Sequence, residues 1–197
     1  MKKILMTLIF AFAVSCNAQA AEEIKLPAPD TKGGIPLMEA IARRQSTREF
    51  SAKALDEQTL SDIFYAAWGI SHDGKRTIPT SRNRQDMRLF AARKDGVWEY
   101  DGASHSLKKI SDIDLTDALA GQAFVKDAPL TLIFTGTDPE NSPLNAAAAY
   151  QNVGLYCASR GINNVVRGMF DRAATAKALN VPESDVIISQ TLGWPYM

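Results

Sequence analysis

Hydrophobic and polar positions alternate along the chain with two periods, one typical of helices and one typical of strands. Apolar side chains recur at helical spacing over residues 37–44. They recur again after Asp56, the predicted N-cap of a second helix that ends at Gly69. Residues 70–86 show neither period and are predicted to form a loop.

The second half of the chain mixes strands and helices in the same way. Residues 94–96 (Lys-Asp-Gly) predict a hairpin turn between two strands, and residues 145–159 are apolar on nearly every side, which predicts a helix buried all round. The remaining predicted elements are helices over 112–119 and 171–179, the latter capped by Asp171, and strands over 87–92, 97–100, 130–135, 164–167 and 186–192. Without internal repeats, this order predicts an α+β fold with a largely antiparallel sheet.

The N-terminal residues have the features of a secretory signal. Lys2 and Lys3 precede an apolar run over residues 4–14 that is too short to span a bilayer, and residues 18–20 (Ala-Gln-Ala) suit a cleavage site. Residues 1–20 therefore predict export to the periplasm or the medium, with a buried N-terminal helix as the alternative. Acylation of Cys16, which would anchor the protein to lipid, stays open, although the leucine expected three positions earlier is missing.

Length and charge limit the remaining possibilities. Residues 36–197 are long enough for one domain with a sizeable core, and the prolines and glycines of residues 21–35 predict an extended arm, either loose or wrapped around a partner subunit. The 22 basic and 22 acidic side chains give no excess that would favour nucleic acid. No later segment is apolar and long enough to span a membrane.

Two short segments carry candidate chemistry. If residues 44–48 (Arg-Gln-Ser-Thr-Arg) are extended, Arg44, Ser46 and Arg48 point to one side and suit a phosphate with its attached polyol. The alternative is a solvated helix face whose arginines pair with nearby glutamates. Residues 79–85 (Pro-Thr-Ser-Arg-Asn-Arg-Gln) could hydrogen-bond the edge of a planar heterocycle, or form an ordinary turn.

In this order and spacing, the two segments resemble the nitroreductase superfamily of flavin enzymes, which follow Arg-x-Ser-x-Arg closely with a phenylalanine, here Phe50. The resemblance continues through residues 124–129, the central helix, residues 165–168 (Val-Val-Arg-Gly) and residues 193–195 (Gly-Trp-Pro). The last of these is similar to the compact branch that includes peptide-azoline dehydrogenases. The resemblance implies a nitroreductase-like α+β fold in an intertwined homodimer.

The resemblance also implies FMN as the cofactor and assigns residues to it. Arg44, Ser46 and Arg48 would lie on the phosphate, ribityl chain and ring edge, with Gln45 adjacent through its backbone. Ser81 and Asn83 would reach the flavin of the other subunit. The ring would lie beside the following residues: Val166, Arg167, Gly168 and, as a weaker candidate, Gln122. No catalytic side chain is nominated, and lone loop histidines predict no metal site.

The implied activity is an FMN-dependent oxidoreductase that moves hydride by a ping-pong mechanism between a small-molecule donor, NAD(P)H being one candidate, and an acceptor. The C-terminal Lys-x-Arg pair that many relatives carry is missing, which leaves the phosphate to Arg44, Arg48 and backbone donors. Arg167 stands where several relatives have glutamate, and a cation there predicts a raised flavin potential. The alternatives are a non-catalytic flavin-binding or scavenging protein and a cofactor-free structural dimer.

Overall fold

The computed structural model describes residues 22–196, so the predicted signal segment and Cys16 lie outside the described residues. A single seven-stranded sheet forms the centre, in the order β1-β4-β3-β2-β5-β7-β6, and every neighbouring pair is antiparallel. The predicted α+β fold is therefore confirmed. The strands are β1 (Glu23–Lys25), β2 (Met87–Arg93), β3 (Gly96–Asp101), β4 (Ser106–Ser111), β5 (Leu130–Gly136), β6 (Asn163–Arg167) and β7 (Val186–Gly193).

Helices cover both faces of this sheet. They are α1 (Leu37–Arg43), α2 (Glu57–Trp68), α3 (Thr116–Leu119), α4 (Ser142–Arg160) and α5 (Arg172–Leu179). On one face, α2 and α4 pack on the alternate strand residues Leu89, Leu132 and Phe134. On the other, α3 and α5 pack on Phe90 and Ile133. Because successive side chains of β2 and β5 point to opposite faces of the sheet, these two strands contribute to a core on each face.

Local capping fixes the helix ends as predicted. The Asp56 side chain accepts the backbone amide of Thr59, and Asp171 accepts that of Ala174. Gly161 ends α4 with φ of 71°, a left-handed conformation that suits glycine. These hydrogen bonds lie within one turn of the chain, so the local sequence determines them.

The prediction that the long helix is buried all round is wrong for the single protomer. Only one stripe of α4 is buried, including Ala146, Ala149, Val153 and Cys157, while Gln151 is exposed. The buried stripe faces the sheet and its flanking helices, whereas the other residues of α4 are partly or fully exposed within the described chain. The predicted helix over 112–119 is also shorter, reduced to the single turn α3.

The N-terminal arm lies against its own protomer. Its strand β1 pairs with β4, and neither strand carried a clear sequence signal. Beyond β1, the carbonyl of Pro27 accepts hydrogen bonds from the Ser61 hydroxyl at 2.6 Å and from His105 Nε2 at 3.0 Å. Arg160 pairs with Asp30 at 3.0 Å. Within residues 22–196, no helix combines the length and the hydropathy that crossing a bilayer requires.

Candidate functional site

Residues 44–48 run extended along the edge of the sheet. Helix α1 ends at Arg43, and the Thr47 amide then donates to the Asn164 carbonyl at 2.9 Å. The Asn164 amide returns a hydrogen bond to Thr47 Oγ1, also at 2.9 Å. Because side chains alternate along an extended chain, fixing Thr47 toward β6 places Ser46 and Arg48 on the other side. The extended alternative is therefore the one observed.

The side-chain donors of Arg44, Ser46 and Arg48 bond to no other group within residues 22–196. Ser46 and Arg48 are exposed, and within residues 22–196 neither they nor Arg44 form an ion pair or a side-chain hydrogen bond. The predicted competitor Glu39 pairs with Arg43 instead. We call Arg44, Ser46 and Arg48 the clamp. Two guanidiniums and a hydroxyl without protein acceptors fit a phosphate and its polyol.

A pocket of about 500 Å³ lies between this segment and the C-terminal turn of α4. Arg44, Gln45, Asn163 and Asn164 are among its lining residues, whereas Ser46 and Arg48 are not. The aliphatic part of Arg44 lies over Gly154, where a Cβ would be 3.5 Å from its Cγ. The small residue on α4 therefore lets the arginine lie close to the helix.

Strand β6 connects the clamp to the predicted ring-binding residues. Thr47 is bonded to Asn164 near the start of β6, and Gly168 follows its end, about 13 Å further on at the usual strand rise. A Cβ at Gly168 would meet no atom within 4 Å, so the space beside it is open. Gly121 lies against the Met169 carbonyl, which brings the neighbouring Gln122 to the same end of the strand.

Arg167 points into the protein, and Val166 points toward the α4 side of the sheet. The Arg167 guanidinium is buried and donates to the carbonyls of Leu119 and Met169 and to Thr191 Oγ1. Burial lowers the pKa of Arg167. The guanidinium therefore braces the turn that contains Gly168 from behind. Sequence reasoning assigned the residue to this end of β6 but could not give its direction.

One buried polar atom near this strand was not foreseen. Gln190 of β7 lies opposite Val166 and is fully buried. Its amide donates to the Tyr150 carbonyl and to Asn164 Oδ1, but its Oε1 has no partner within the described residues. Nothing in the sequence marks Gln190, between Ser189 and Thr191, as a buried residue whose Oε1 lacks a partner within the described residues.

The second predicted segment lies in a different part of the protomer. Ser81 and Asn83 are exposed on a single 3-10 turn between α2 and β2, and Asn83 accepts a hydrogen bond from Gln85. Asn83 of this turn and Arg44 of the clamp line two pockets that share no residue. The expectation that Ser81 and Asn83 act on the other subunit's flavin stays a prediction. Among residues 22–196, no three His, Cys, Asp or Glu side chains group as metal ligands do.

The sequence pattern of the nitroreductase family matches residues 41–194, which include the clamp, β6 and the 3-10 turn. The chain belongs to the nitroreductase family. A nitroreductase candidate of Methanocaldococcus jannaschii is 25% identical, over 84% of this chain and 93% of that protein. The family membership predicted from the motifs is therefore confirmed.

Solved structures of nitroreductase-like proteins have the same fold. A crystal structure of a nitroreductase candidate from Ralstonia eutropha JMP134 has a TM-score of 0.82 and 34% identity, over 89% of this chain and 90% of that one. A structure of the Escherichia coli microcin synthetase complex covers 100% of this chain and 79% of its own, with TM-score 0.68 and 17% identity. A nitroreductase candidate from Desulfovibrio desulfuricans, solved with FMN, has TM-score 0.61 and 18% identity, over 84% and 89% of the two chains.

Proposed function

We propose that this protein is an exported, homodimeric, FMN-dependent oxidoreductase. The observation that carries the proposal is the clamp, whose arginines and serine lack protein partners within residues 22–196 and are held in place by Thr47 and Asn164. Family membership supports flavin-dependent redox chemistry, and the Desulfovibrio neighbour supports FMN as the flavin.

The residues of this chain bind and orient the cofactor in this proposal. Arg44 and Arg48 bind the phosphate with charge-assisted hydrogen bonds, and Ser46 bonds the ribityl chain. The open space at Gly168 accommodates the ring, with Gln122 and the backbone of residues 166–167 beside it. When bound, FMN supplies hydride transfer between a donor and an acceptor that occupy the same cleft in turn.

We infer a second copy of the chain because predicted cofactor residues of the two segments do not share a pocket: Arg44 lines one and Asn83 lines another. In this proposal Ser81 and Asn83 complete the site of the partner. The apolar side chains Leu37, Met38 and Ile41 on α1 are 64%, 72% and 46% exposed, and α4 beside them is buried on one side only. Burying these faces against a second copy would stabilise the dimer.

The visible spectrum of the purified protein tests the proposal. We expect a yellow protein that bleaches with NADPH or NADH, or with another reductant suited to an exported enzyme, and recovers its colour with a nitroaromatic or a quinone. Parallel double-reciprocal lines would support the ping-pong order, and intersecting lines would contradict it. A yellow protein that no donor reduces is a flavin-binding protein instead. A colourless protein that cannot be reconstituted with FMN would exclude both functions.

A further inference from the structure

A concentration of positive charge lies on the loop between α2 and β2, apart from the clamp. It lines a pocket of about 480 Å³. Four of its nine lining residues are basic, namely His72, Lys75, Arg76 and Arg82, and none is Asp or Glu. Because the whole chain has a formal net charge of zero, this excess is local to the pocket, which we call the basic pocket.

Two of these cations have no partner in the part of the chain that the structure describes. Lys75 and Arg82 are exposed, and neither forms an ion pair or a side-chain hydrogen bond within residues 22–196. The next arginine of the loop differs, because Arg84 pairs with Asp138 at 2.7 Å. The charges that face the basic pocket are therefore available to an anion from solution.

The walls of the basic pocket are fixed by hydrogen bonds. The Arg76 guanidinium lies 4.4 Å from the Trp68 ring centroid, and it donates to the Trp68 carbonyl and to Gln85 Oε1, both at 2.8 Å. Gln85 in turn donates to the carbonyl of Gly74 and to Asn83 Oδ1, which joins the two arms of the loop. A ligand would meet a preorganised surface, which lowers the entropy lost on binding.

The backbone of this loop is strained as well as fixed. Four of its residues other than glycine have positive φ: Asp73 at 48°, Arg82 at 52°, Asn83 at 57° and Gln85 at 46°. Aspartate and asparagine tolerate this region, whereas Arg82 and Gln85 adopt it less readily, and such conformations cluster at ligand clamps and active sites. The positive φ values agree with a binding role. The kind of ligand is indicated by the positive charges of the basic pocket.

We infer that the basic pocket binds the anionic group of the substrate, a small organic molecule that carries a carboxylate or a phosphate. Lys75 and Arg82 supply charge-assisted hydrogen bonds, while Ile78 and Pro79 provide apolar contact for the body of the molecule. This inference rests on the proposed function, in which Asn83 of the same pocket reaches the partner's flavin. An acidic acceptor and a nucleotide donor both carry such a group.

Direct binding tests the inference without requiring turnover. Calorimetry on the purified holoprotein would use 4-nitrobenzoate, its neutral counterpart 4-nitrobenzamide, and pyrophosphate. In the double variant Lys75→Ala/Arg82→Ala we expect Kd for 4-nitrobenzoate, for pyrophosphate or for both to rise about tenfold, and Kd for the amide to change less than about twofold. The matched control is Lys177→Ala, which removes an exposed cation on α5 and should change none of these values.

Steady-state kinetics then separates the two sources of the anion. A rise of KM for 4-nitrobenzoate alone identifies an acidic acceptor, and a rise for NADPH alone identifies the donor; either result supports the subsite. Equal losses for the acid and the amide would overturn it. Weaker FMN retention with unchanged binding of both anions would also overturn the inference, because the basic pocket would then bind the cofactor. Binding that depends on the anionic group, without turnover, would contradict the proposed function and support the subsite. Turnover with equal binding of the acid and the amide would support the proposed function and contradict the subsite.

Discussion

Thr47 and Asn164 are joined by hydrogen bonds in both directions, between their backbones and through the threonine hydroxyl. This pair attaches the segment after α1 to the first residues of β6. It therefore sets the distance between the clamp and Gly168, the two ends of the proposed flavin site.

Thr47→Val removes the hydroxyl bonds and keeps the backbone bond. Because the Asn164 amide loses its acceptor, we expect the free energy of unfolding to fall by about 1 kcal/mol and Kd for FMN to rise about fivefold. Urea unfolding and flavin fluorescence measure the two quantities. Thr47→Ser retains the hydroxyl and should behave as the unmodified protein does. If Thr47→Val is destabilised but its Kd for FMN is unchanged, the Thr47–Asn164 pair does not position the clamp.

Arg44→Ala combined with Arg48→Ala removes both clamp guanidiniums. Two charge-assisted bonds to the phosphate together contribute about 3 kcal/mol, so we expect Kd for FMN to rise about a hundredfold or more. The matched control is Lys177→Ala, which removes an exposed cation on α5 that does not line the pocket of Arg44 and should leave Kd unchanged. Equal flavin retention in the double variant and the control would exclude the proposed phosphate site. Riboflavin, which lacks the phosphate, should bind the double variant and the unmodified protein alike.

The buried cation at Arg167 should affect both stability and the flavin potential. Arg167→Met leaves the Leu119 and Met169 carbonyls without their donor, so the free energy of unfolding should fall by about 2–4 kcal/mol. A cation near the ring favours the reduced, anionic flavin, so its removal should lower the midpoint potential. For a two-electron reduction, a change of about 30 mV in the midpoint potential corresponds to a change of about 1.4 kcal/mol in the free energy of reduction.

Arg167→Glu reverses the charge and should lower the potential below that of Arg167→Met. Spectroelectrochemistry on the flavin-loaded proteins would measure the series. If the unmodified protein has a potential equal to or below that of the glutamate variant, the electrostatic role of Arg167 is wrong, and the residue only braces the turn. Arg172→Met controls for the loss of a cation that also donates to backbone carbonyls, in this case those of Val186 and Ile187.

His105 should make the stability of the arm depend on pH. Burial lowers its pKa from the ordinary value of 6.5, while hydrogen bonding to the Pro27 carbonyl and the charge of Asp62 oppose this shift. Below about pH 6.5 the unfolded chain binds a proton that the folded chain resists, so the free energy of unfolding should fall as the pH drops. Urea unfolding at pH 7.5 and pH 5.5 would measure the difference.

His105→Asn should remove most of this pH dependence, and asparagine also tolerates the φ of 48° at this position. His72→Gln, which removes the exposed histidine of the basic pocket, is the control and should retain the dependence. Hydrogen exchange at the Leu26 amide, which donates to the His105 carbonyl, would report whether the arm itself is released at low pH. An unchanged pH dependence in His105→Asn would assign the effect to other groups.

The exposed face of α1 should be part of the dimer. Leu37→Glu combined with Ile41→Glu places charges on that face, so we expect a monomer by light scattering and loss of bound FMN, because the partner's Ser81 and Asn83 are then absent. Ile113→Glu is the matched control, since Ile113 is 50% exposed in the loop between β4 and α3. A variant that stays dimeric with full flavin content would place the interface elsewhere.

The local sequence determined most of the helix ends and the hairpin. Asp56, Asp171 and Gly161 act within one turn of the chain, so their hydrogen bonds follow from neighbouring residues. The extended course of residues 44–48 was one of two alternatives that the sequence left open, and the long-range hydrogen bonds between Thr47 and Asn164 decided it. Family membership follows from the same motifs.

Only the tertiary structure decided which faces these residues meet. Pairing between β1 and β4 depends on residues far apart in the chain, and a three-residue strand has no period of its own. The inward direction of Arg167 depends on which side of β6 faces α3, and strand alternation by itself leaves that choice open. The basic pocket likewise exists because Gln85 joins two arms of a loop that has no periodicity. Local hydrogen bonds are encoded in neighbouring residues, whereas packing partners are set only when the whole sheet has formed.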